Sequence, residues 1–279
     1  MISIVTVCHR SDALLAKYVE TFLGHHTSDE ARAHFEFVLV ENSGDPATQE
    51  HARKLEEHGF SAKFLQTENR GFGAGCNAGA ALASGELLAF VNPDIEFEGS
   101  LAPLRDFFGT SRWGSVLQTH GKTLTSPLGL RTEHCNLFTD LAMTRRWLHF
   151  APVLHRFAYP SGSFFVVPKA DFDAVGGFDE RFFLYQEEVE LSRRLVARLG
   201  APRICRTVKV LHKAFGSEPS EEFTLRHEAI STVLYGQIIG DPGLAKRRLG
   251  SLRMTRRLIP INARRAAHLE QAIAEGALP

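Results

Sequence analysis

Charge of either sign is not in excess in this chain: 32 Lys+Arg stand against 32 Asp+Glu over 279 residues, giving a formal net charge of +0. That balance excludes a general nucleic-acid binder, which carries a basic surplus, and no nucleic acid is expected among its partners. Cysteine is scarce. Cys8, Cys76, Cys135 and Cys205 are far apart with no C-x-x-C pair, so neither a zinc ribbon nor a redox dithiol is written here. Free cysteines beside apolar residues suit a reducing cytosol. Long apolar runs are missing too; the run Leu87–Val91 is far short of a membrane span. The opening residues Ile2–Val7 lack a basic n-region and read as a strand, not a signal peptide. No G-x-x-x-x-G-K-[ST] phosphate loop, repeat or low-complexity segment is found. With 44% apolar residues the chain is long enough to bury a core without staples.

What is present is alternation. Ile2–Val7 is β-branched; Ser11 or Asp12 can cap a helix whose Leu14, Leu15, Tyr18, Val19 and Phe22 recur at three- and four-residue spacing. Phe35–Glu41, Ala62–Gln66 and Leu87–Val91 follow as strands, separated by a helix over Ala52–His58 and a small-residue helix ending near Ser84. This β-α-β-α-β-α-β order predicts a parallel sheet, with the wholly apolar fourth strand central and covered on both faces. Leu101–Phe157 yields no clear elements. Beyond it a strand at Ser163–Val167, a helix from Glu187 to Leu199, a strand at Arg203–Val210 and a helical tail after Pro219 are expected.

Open parallel sheets bind ligands beyond the carboxyl ends of their strands. The segments there are Cys8-His9-Arg10, Glu41-Asn42-Ser43, Asn69-Arg70-Gly71-Phe72-Gly73 and Asn92-Pro93-Asp94. Carboxylates accept from ribose or base, Arg meets phosphate, and glycines let backbone approach closely, so together they suggest a nucleotide-diphosphate pocket. Taken alone, the Gly71-x-Gly73 turn is equally a packing device, and Asn92-Pro93-Asp94 is equally an Asx turn or half of a cation site. Glu187 and Glu188 open the helix to Leu199. Locally they complement its dipole, and Glu190 pairs with Arg194 at i,i+4.

In this order the segments resemble an inverting GT-A-fold glycosyltransferase, of the family that includes bacterial rhamnosyltransferases. The resemblance runs from residue 2 to about 217 and is carried best by Gly176–Tyr185 (GGFDERFFLY) and Glu187–Leu191 (EEVEL). It implies an α/β, Rossmann-like, mostly parallel sheet flanked by helices. Residues 1–98 would form the nucleotide-sugar half, 99–217 the acceptor half, and 218–279 a helical extension. It implies a donor pocket from Thr6, Arg10, Glu41, Asn42, Asn69, Gly71, Phe72, Asn77, Asn92 and Asp94. Asp94 closes the family's Asp-x-Asp motif, whose first position is Asn92 here. Asp94 with His212 would hold Mg²⁺ or Mn²⁺, and Ser163 and Asp179 would meet the acceptor.

Glu188 aligns with the family's catalytic Asp. Glu stands for Asp at 41, 188 and 190, and the extra methylene moves a carboxylate by roughly 1.5 Å, which leaves Glu188 and Glu187 as the two candidate bases. The expected reaction moves a sugar, first choice L-rhamnose from dTDP-rhamnose, to a glycan or polyprenyl-diphosphate-linked acceptor. A UDP-sugar transferase, a catalytically weak nucleotide-sugar binder and a sugar-phosphate nucleotidyltransferase are the alternatives, the last lacking its Gly-rich loop after strand one. Between Asp241 and Glu270 eight Lys and Arg and no acid occur. Residues 242–269 therefore read either as a membrane-surface contact on the inner face of the cell membrane or as helices packed on the catalytic domain.

Overall fold

The apolar runs form the strands expected of them. Ile2–Cys8 is β1, Phe35–Glu41 β2, Ser61–Gln66 β3 and Leu87–Val91 β4. Asp12–His25 (α1), Asp29–His34 (α2), Ala47–Glu57 (α3) and Phe72–Leu82 (α4) connect them. This computed structural model describes residues 1–120, 123–125, 127–134, 152–213, 220–257 and 259–276. Cys135, Leu258 and the boundary expected at 217/218 lie outside the described residues.

The registers decide where the chemistry can sit. Cys8 pairs with Glu41 and Glu41 with Gln66, so β1, β2 and β3 end flush and their loops leave one rim. β1 also pairs in parallel with β4, and strand order reverses at that junction. The rim beside it is the switch point where an open α/β sheet takes its ligand.

The stretch left unassigned in the sequence contains short strands. Ile95–Phe97 is β5, followed by the helix Pro103–Phe108 (α5) and by Gly114–His120 (β6). Thr123–Thr125 (β7), Leu128–Leu130 (β8) and Ala158–Pro160 (β9) complete it. Phe164–Pro168 (β10), the helices Lys169–Ala174 (α6) and Glu187–Leu199 (α7), and Arg203–His212 (β11) come next. The main sheet runs β3-β2-β1-β4-β10-β6-β11-β5, with β7 beside β6. It is parallel from β3 to β4 and between β6 and β11, and β10 is the antiparallel strand joining the two blocks.

Two local expectations are corrected. The third helix begins at Ala47, a turn and a half before Ala52. The hydroxyl of Ser11, at the N-cap of α1, donates back to the His9 carbonyl (3.0 Å) in place of capping, and Asp12 pairs with His51 (2.8 Å).

One face of the sheet is packed by α1, with Tyr18, Phe22 and Phe37 at its centre. The other carries α4 and α7 over Phe90, Phe165 and Leu191. Helix α4 lies close because it is made of small residues: a Cβ at Gly79 would stand 2.4 Å from Val5 Cγ1. The tail forms Glu221–Ile238 (α8), Leu244–Thr255 (α9) and Ile261–Glu275 (α10), which share an apolar core of their own. Cations of the tail are spent inside this unit, Arg247 on Asp241, Arg253 on Glu270, Arg264 on Glu221 and Arg265 on Glu228. Among the described residues no helix is long and apolar enough to cross a membrane.

The two halves of the molecule interlock at Gly71. Its φ of +102° is one that glycine adopts without strain, and the next amide, Phe72 N–H, donates to the Phe183 carbonyl at 3.0 Å. A Cβ on residue 71 would lie 2.3 Å from that same oxygen. Gly71→Ala is expected to lower stability in urea unfolding by about 1–3 kcal/mol from the backbone strain alone. To admit the methyl group the loop must lift off Phe183.

Candidate active site

The rim is organised by polar side chains that begin one or two residues beyond the strands. His9 Nδ1 and Asn42 Oδ1 are 3.0 Å apart, Asn42 Nδ2 donates to Asn69 Oδ1 (3.3 Å), and Gly71 N donates to the same Asn69 oxygen (3.2 Å). The turns after β1, β2 and β3 are thus tied into one surface, with Asn69 exposed on it. Arg10, whose φ is +51°, is held by its amide on Ser43 Oγ (2.9 Å) and leaves its guanidinium exposed.

Other expected donor residues are placed differently. Glu41 is fully buried; one carboxylate oxygen accepts from the Ser43 amide and hydroxyl and the other from Thr48 (2.7 Å), so it anchors the turn into α3. Thr6 is also fully buried, its hydroxyl 3.0 Å from that of Tyr18, which leaves it no face toward a ligand. Asn77 spends its amide on the backbone of Phe178, donating to the carbonyl and accepting from the N–H, each at 2.9 Å. It clamps a loop in place of lining a pocket. Phe178 in turn fills the space among Phe72, Phe90 and Phe172, with ring centroids 5.2–6.2 Å away.

Asp94 sits where β4 turns into β5. Ile95 N–H donates to the Asn92 carbonyl (3.2 Å), so Asn92-Pro93-Asp94 makes the turn and also presents the acid. The antiparallel register of β11 with β5 sets His212 opposite Ile95, and His212 Nε2 comes to 3.2 Å from Asp94 Oδ2. Asp94 Oδ1 is buried with no hydrogen-bond partner. An orphaned carboxylate oxygen beside an imidazole nitrogen fits a hard divalent cation that takes its other ligands from diphosphate oxygens and water. Among the described residues no group of three or more His, Cys, Asp or Glu could hold a metal, so protein ligands alone do not close the shell.

Asn92 N–H donates to the Ser163 carbonyl (3.0 Å), and the buried Ser163 hydroxyl donates to Gln118 Oε1 (3.1 Å). Gly162, one residue earlier, packs under the Phe72 ring. This carries the surface from the Asp94 turn back to the glycine loop. Asp179 is bonded to the amide and guanidinium of Arg181, which hold its carboxyl below the usual carboxylate range.

The glycine loop leads to the acids. Phe183, on which Gly71 rests, is followed by Tyr185 and Gln186 at φ of +68° and +69°, two successive non-glycine residues in the left-handed region. Such strain persists only when the surroundings over-determine it. Here Ser231 Oγ on α8 donates to the Leu184 carbonyl (2.8 Å), and Thr132 Oγ1 donates to Gln186 Oε1 (2.6 Å). The result starts α7 with Glu187 4% exposed and with Oε2 of both Glu187 and Glu188 buried and unpartnered. Burial pushes Glu188 up to about 7, against the opposing pull of a hydrogen bond from its own backbone N–H. Burial and then the neighbouring Glu188 push Glu187 well above the carboxylate range. Glu190, by contrast, is fully committed to Arg194 and Arg193, as its spacing predicts. Both carboxyls thus hold their protons to higher pH than a surface acid does, which suits Glu188 to accepting a proton.

Sequence reasoning missed Gln118, Thr132 and Ser231. Each reaches a residue far along the chain through a hydrogen bond, and no local pattern marks it. Glu41 did carry a signal, a strand-terminal acid followed two residues later by Ser.

Known structures share this architecture. A mannosyltransferase from Pyrobaculum calidifontis, solved with GDP-Man and Mn²⁺, superposes on 99% of this chain and 74% of its own, with a TM-score of 0.61 and 14% identity. GalNAc-T7 with UDP, GalNAc and Mn²⁺ gives a TM-score of 0.57 at 17% identity, over 83% of this chain and 47% of that one. Staphylococcus aureus TarS 1–349 with UDP-GlcNAc gives 0.50 at 17%, over 83% and 66%. At these identities the likeness is one of fold. In sequence, an N-acetylglucosaminyl-diphospho-decaprenol L-rhamnosyltransferase of Mycobacterium tuberculosis is 35% identical over 72 residues, which is 25% of this chain and 24% of that relative. The chain thus aligns with about a quarter of that protein's length. Residues 3–147, more than half of the chain, match the pattern of Glycosyl transferase family 2, and the chain belongs to that family.

Proposed function

We propose that this protein transfers a sugar, with inversion, from a nucleotide-diphosphate donor to a hydroxyl of a glycan or polyprenyl-diphosphate-linked acceptor in bacterial cell-surface polysaccharide synthesis. L-Rhamnose from dTDP-rhamnose is the first choice of donor. The observation that carries the reading is the desolvated pair Glu187–Glu188 at the start of α7, docked on the glycine loop of the same rim that presents Asp94 and His212. The name of the rhamnosyltransferase relative supports both the sugar and the lipid-linked acceptor. TarS solved with UDP-GlcNAc and GalNAc-T7 solved with UDP and GalNAc make UDP-sugars the alternative donors.

In this mechanism Asn42, Asn69, Arg10 and the amides of the glycine loop orient the nucleotide, with Glu41 and Asn77 holding the loops that present them. Asp94 and His212 would hold Mg²⁺ or Mn²⁺, which would supply the positive charge that a departing diphosphate needs. Glu188 accepts the proton of the acceptor hydroxyl as its oxygen attacks the anomeric carbon opposite the leaving nucleotide. Glu187, beside it and buried, favours its neutral form. Ser163 and Asp179 border the acceptor side. Inversion follows from a single displacement that needs no protein nucleophile. The chain acts in the cytoplasm, and exposed Lys246, Met254, Arg256 and Arg257 are what residues 242–269 offer to the inner membrane surface.

A thermal-shift panel of dTDP, UDP and GDP sugars with and without Mn²⁺ tests the donor. Stabilisation grows as RT ln(1 + [L]/Kd), and dTDP-rhamnose with Mn²⁺ is expected to give the largest shift. A larger UDP-sugar shift would move the donor to the alternative, and no shift with any sugar nucleotide would overturn the reading. Asp94→Ala should abolish the Mn²⁺-dependent part and reduce turnover at least about a hundredfold.

The base has its own signature. kcat/KM should rise through an apparent pKa near about 7 as Glu188 loses its proton, and Glu188→Gln should cost on the order of 10²–10⁴-fold in kcat. Stability moves the other way. Because the folded pKa lies above the unfolded one, ionising Glu188 destabilises the fold progressively as pH rises from about 4.5 to about 7. Glu188→Gln should therefore melt above wild type at pH 8 and level with it at pH 4. Full activity in Glu188→Gln would remove Glu188 from the role of base.

A further inference from the structure

A second concave surface adjoins the strained segment before α7, and nothing in the mechanism uses it. This groove, of about 470 Å³, lies between the glycine loop, the 180–183 segment and α8, and its wall includes Arg70, Arg181, Phe183, Arg226, His227 and Leu234. Three guanidiniums from three separate stretches of chain face it, against the single carboxylate of Glu180. Arg70 pairs with Glu180 (2.8 Å) and Arg181 with Asp179 (2.6 Å), yet both are more than half exposed and keep donors free for a ligand. Arg226 is exposed and has no acidic partner among the described residues. On a chain of zero net charge this is a local cationic site.

The other wall is apolar and aromatic. His227 is stacked between Phe183 and Phe223, with ring centroids at 5.0 and 4.2 Å, and Phe223 stands 36% exposed beside them. Burial, reinforced by the neighbouring Arg226, lowers the His227 pKa, so this ring is neutral at pH 7 and acts as wall. Ile230 and Leu234 extend the surface along α8. Planar forks suit phosphate oxygens and the apolar strip suits hydrocarbon. A phosphate ion alone would leave the strip unused, and a plain lipid tail would leave three arginines unused.

We propose that this groove is the acceptor's anchoring subsite, where Arg70, Arg181 and Arg226 hold the diphosphate of a lipid-linked acceptor and the Phe183–His227–Leu234 wall receives the first isoprene units. The inference rests on the acceptor class proposed above and adds where it binds. It separates two diphosphates that would otherwise compete, the donor's at Asp94 and the acceptor's at the groove. It also gives the tail a part in substrate selection. Phe183, which borders the groove, lies four residues before Glu187, so an acceptor anchored here presents its sugar toward the acids.

Calorimetric titration of the full-length chain, without added divalent ion, tests this with farnesyl diphosphate, inorganic pyrophosphate and farnesol. Farnesyl diphosphate should bind at least tenfold more tightly than either of the others. Arg226→Ala and Arg226→Glu, with unchanged melting temperature, should weaken it about tenfold or more, and Asp94→Ala should bind it as wild type does. Arg226 variants that bind like wild type would overturn the proposal, as would loss of binding in Asp94→Ala, which would place the ligand in the donor pocket. Pyrophosphate or farnesol binding as tightly as farnesyl diphosphate would overturn it equally. Donor-induced stabilisation is read separately: it should be intact in the Arg226 variants, and its absence in wild type would count against the proposed function, not against the groove.

Discussion

The site depends on one close approach, that of the glycine loop to the backbone of Phe183. A hydrogen bond from Phe72 and the missing Cβ of Gly71 let the loop between β3 and α4 touch the segment that begins the acidic helix. Every other feature of the centre is referred to that contact. The flush ends of β1, β2 and β3 bring the loop to the rim; Asn42 and Asn69 fix its shape; Phe178, clamped by Asn77, fills the space behind it. Without it the acids would open to water and their carboxyls would titrate as ordinary surface groups.

Burying two adjacent glutamates is unfavourable, and the structure shows how the cost is carried. Two residues in the left-handed region precede the helix, and single hydrogen bonds from Thr132 and Ser231 pin them. Neither acid is neutralised by an arginine; that partner goes to Glu190 one turn on. A sequence with Glu-Glu-x-Glu thus divides its acids by environment. The last is structural and ion-paired, while each of the first two buries an unpartnered carboxylate oxygen and has its pKa raised by that burial.

Legibility from sequence followed the physics of each element. β1, β2, β4 and α7 are long enough, and periodic enough, for burial to be written in their residues, and their order alone implied the parallel block. The strands between residues 95 and 160 are mostly three residues long, and their pairing is set by distant partners; Gly-Ser-Val-Leu-Gln-Thr-His at β6 carries no periodicity that separates strand from loop. In the site, Asp94 and Glu188 were visible because a turn or a helix start exposes them to inspection. The burial of Thr6, the occupied carboxylate of Glu41 and the clamp at Asn77 were not, because each depends on which neighbour reaches it first. The basic tail read equally as a membrane contact and as packed helices, since two of its acidic partners, Glu221 and Glu228 on α8, precede it by some forty residues.

The bond from Ser231 to the Leu184 carbonyl sets an order of assembly. During synthesis the sheet and its nucleotide loops emerge and can fold first, but the segment that delivers the acids is fixed only once α8 has left the ribosome and docked. A chain cut short before residue 231 would therefore keep the flush rim of β1, β2 and β3 but lack the bond that fixes the start of α7.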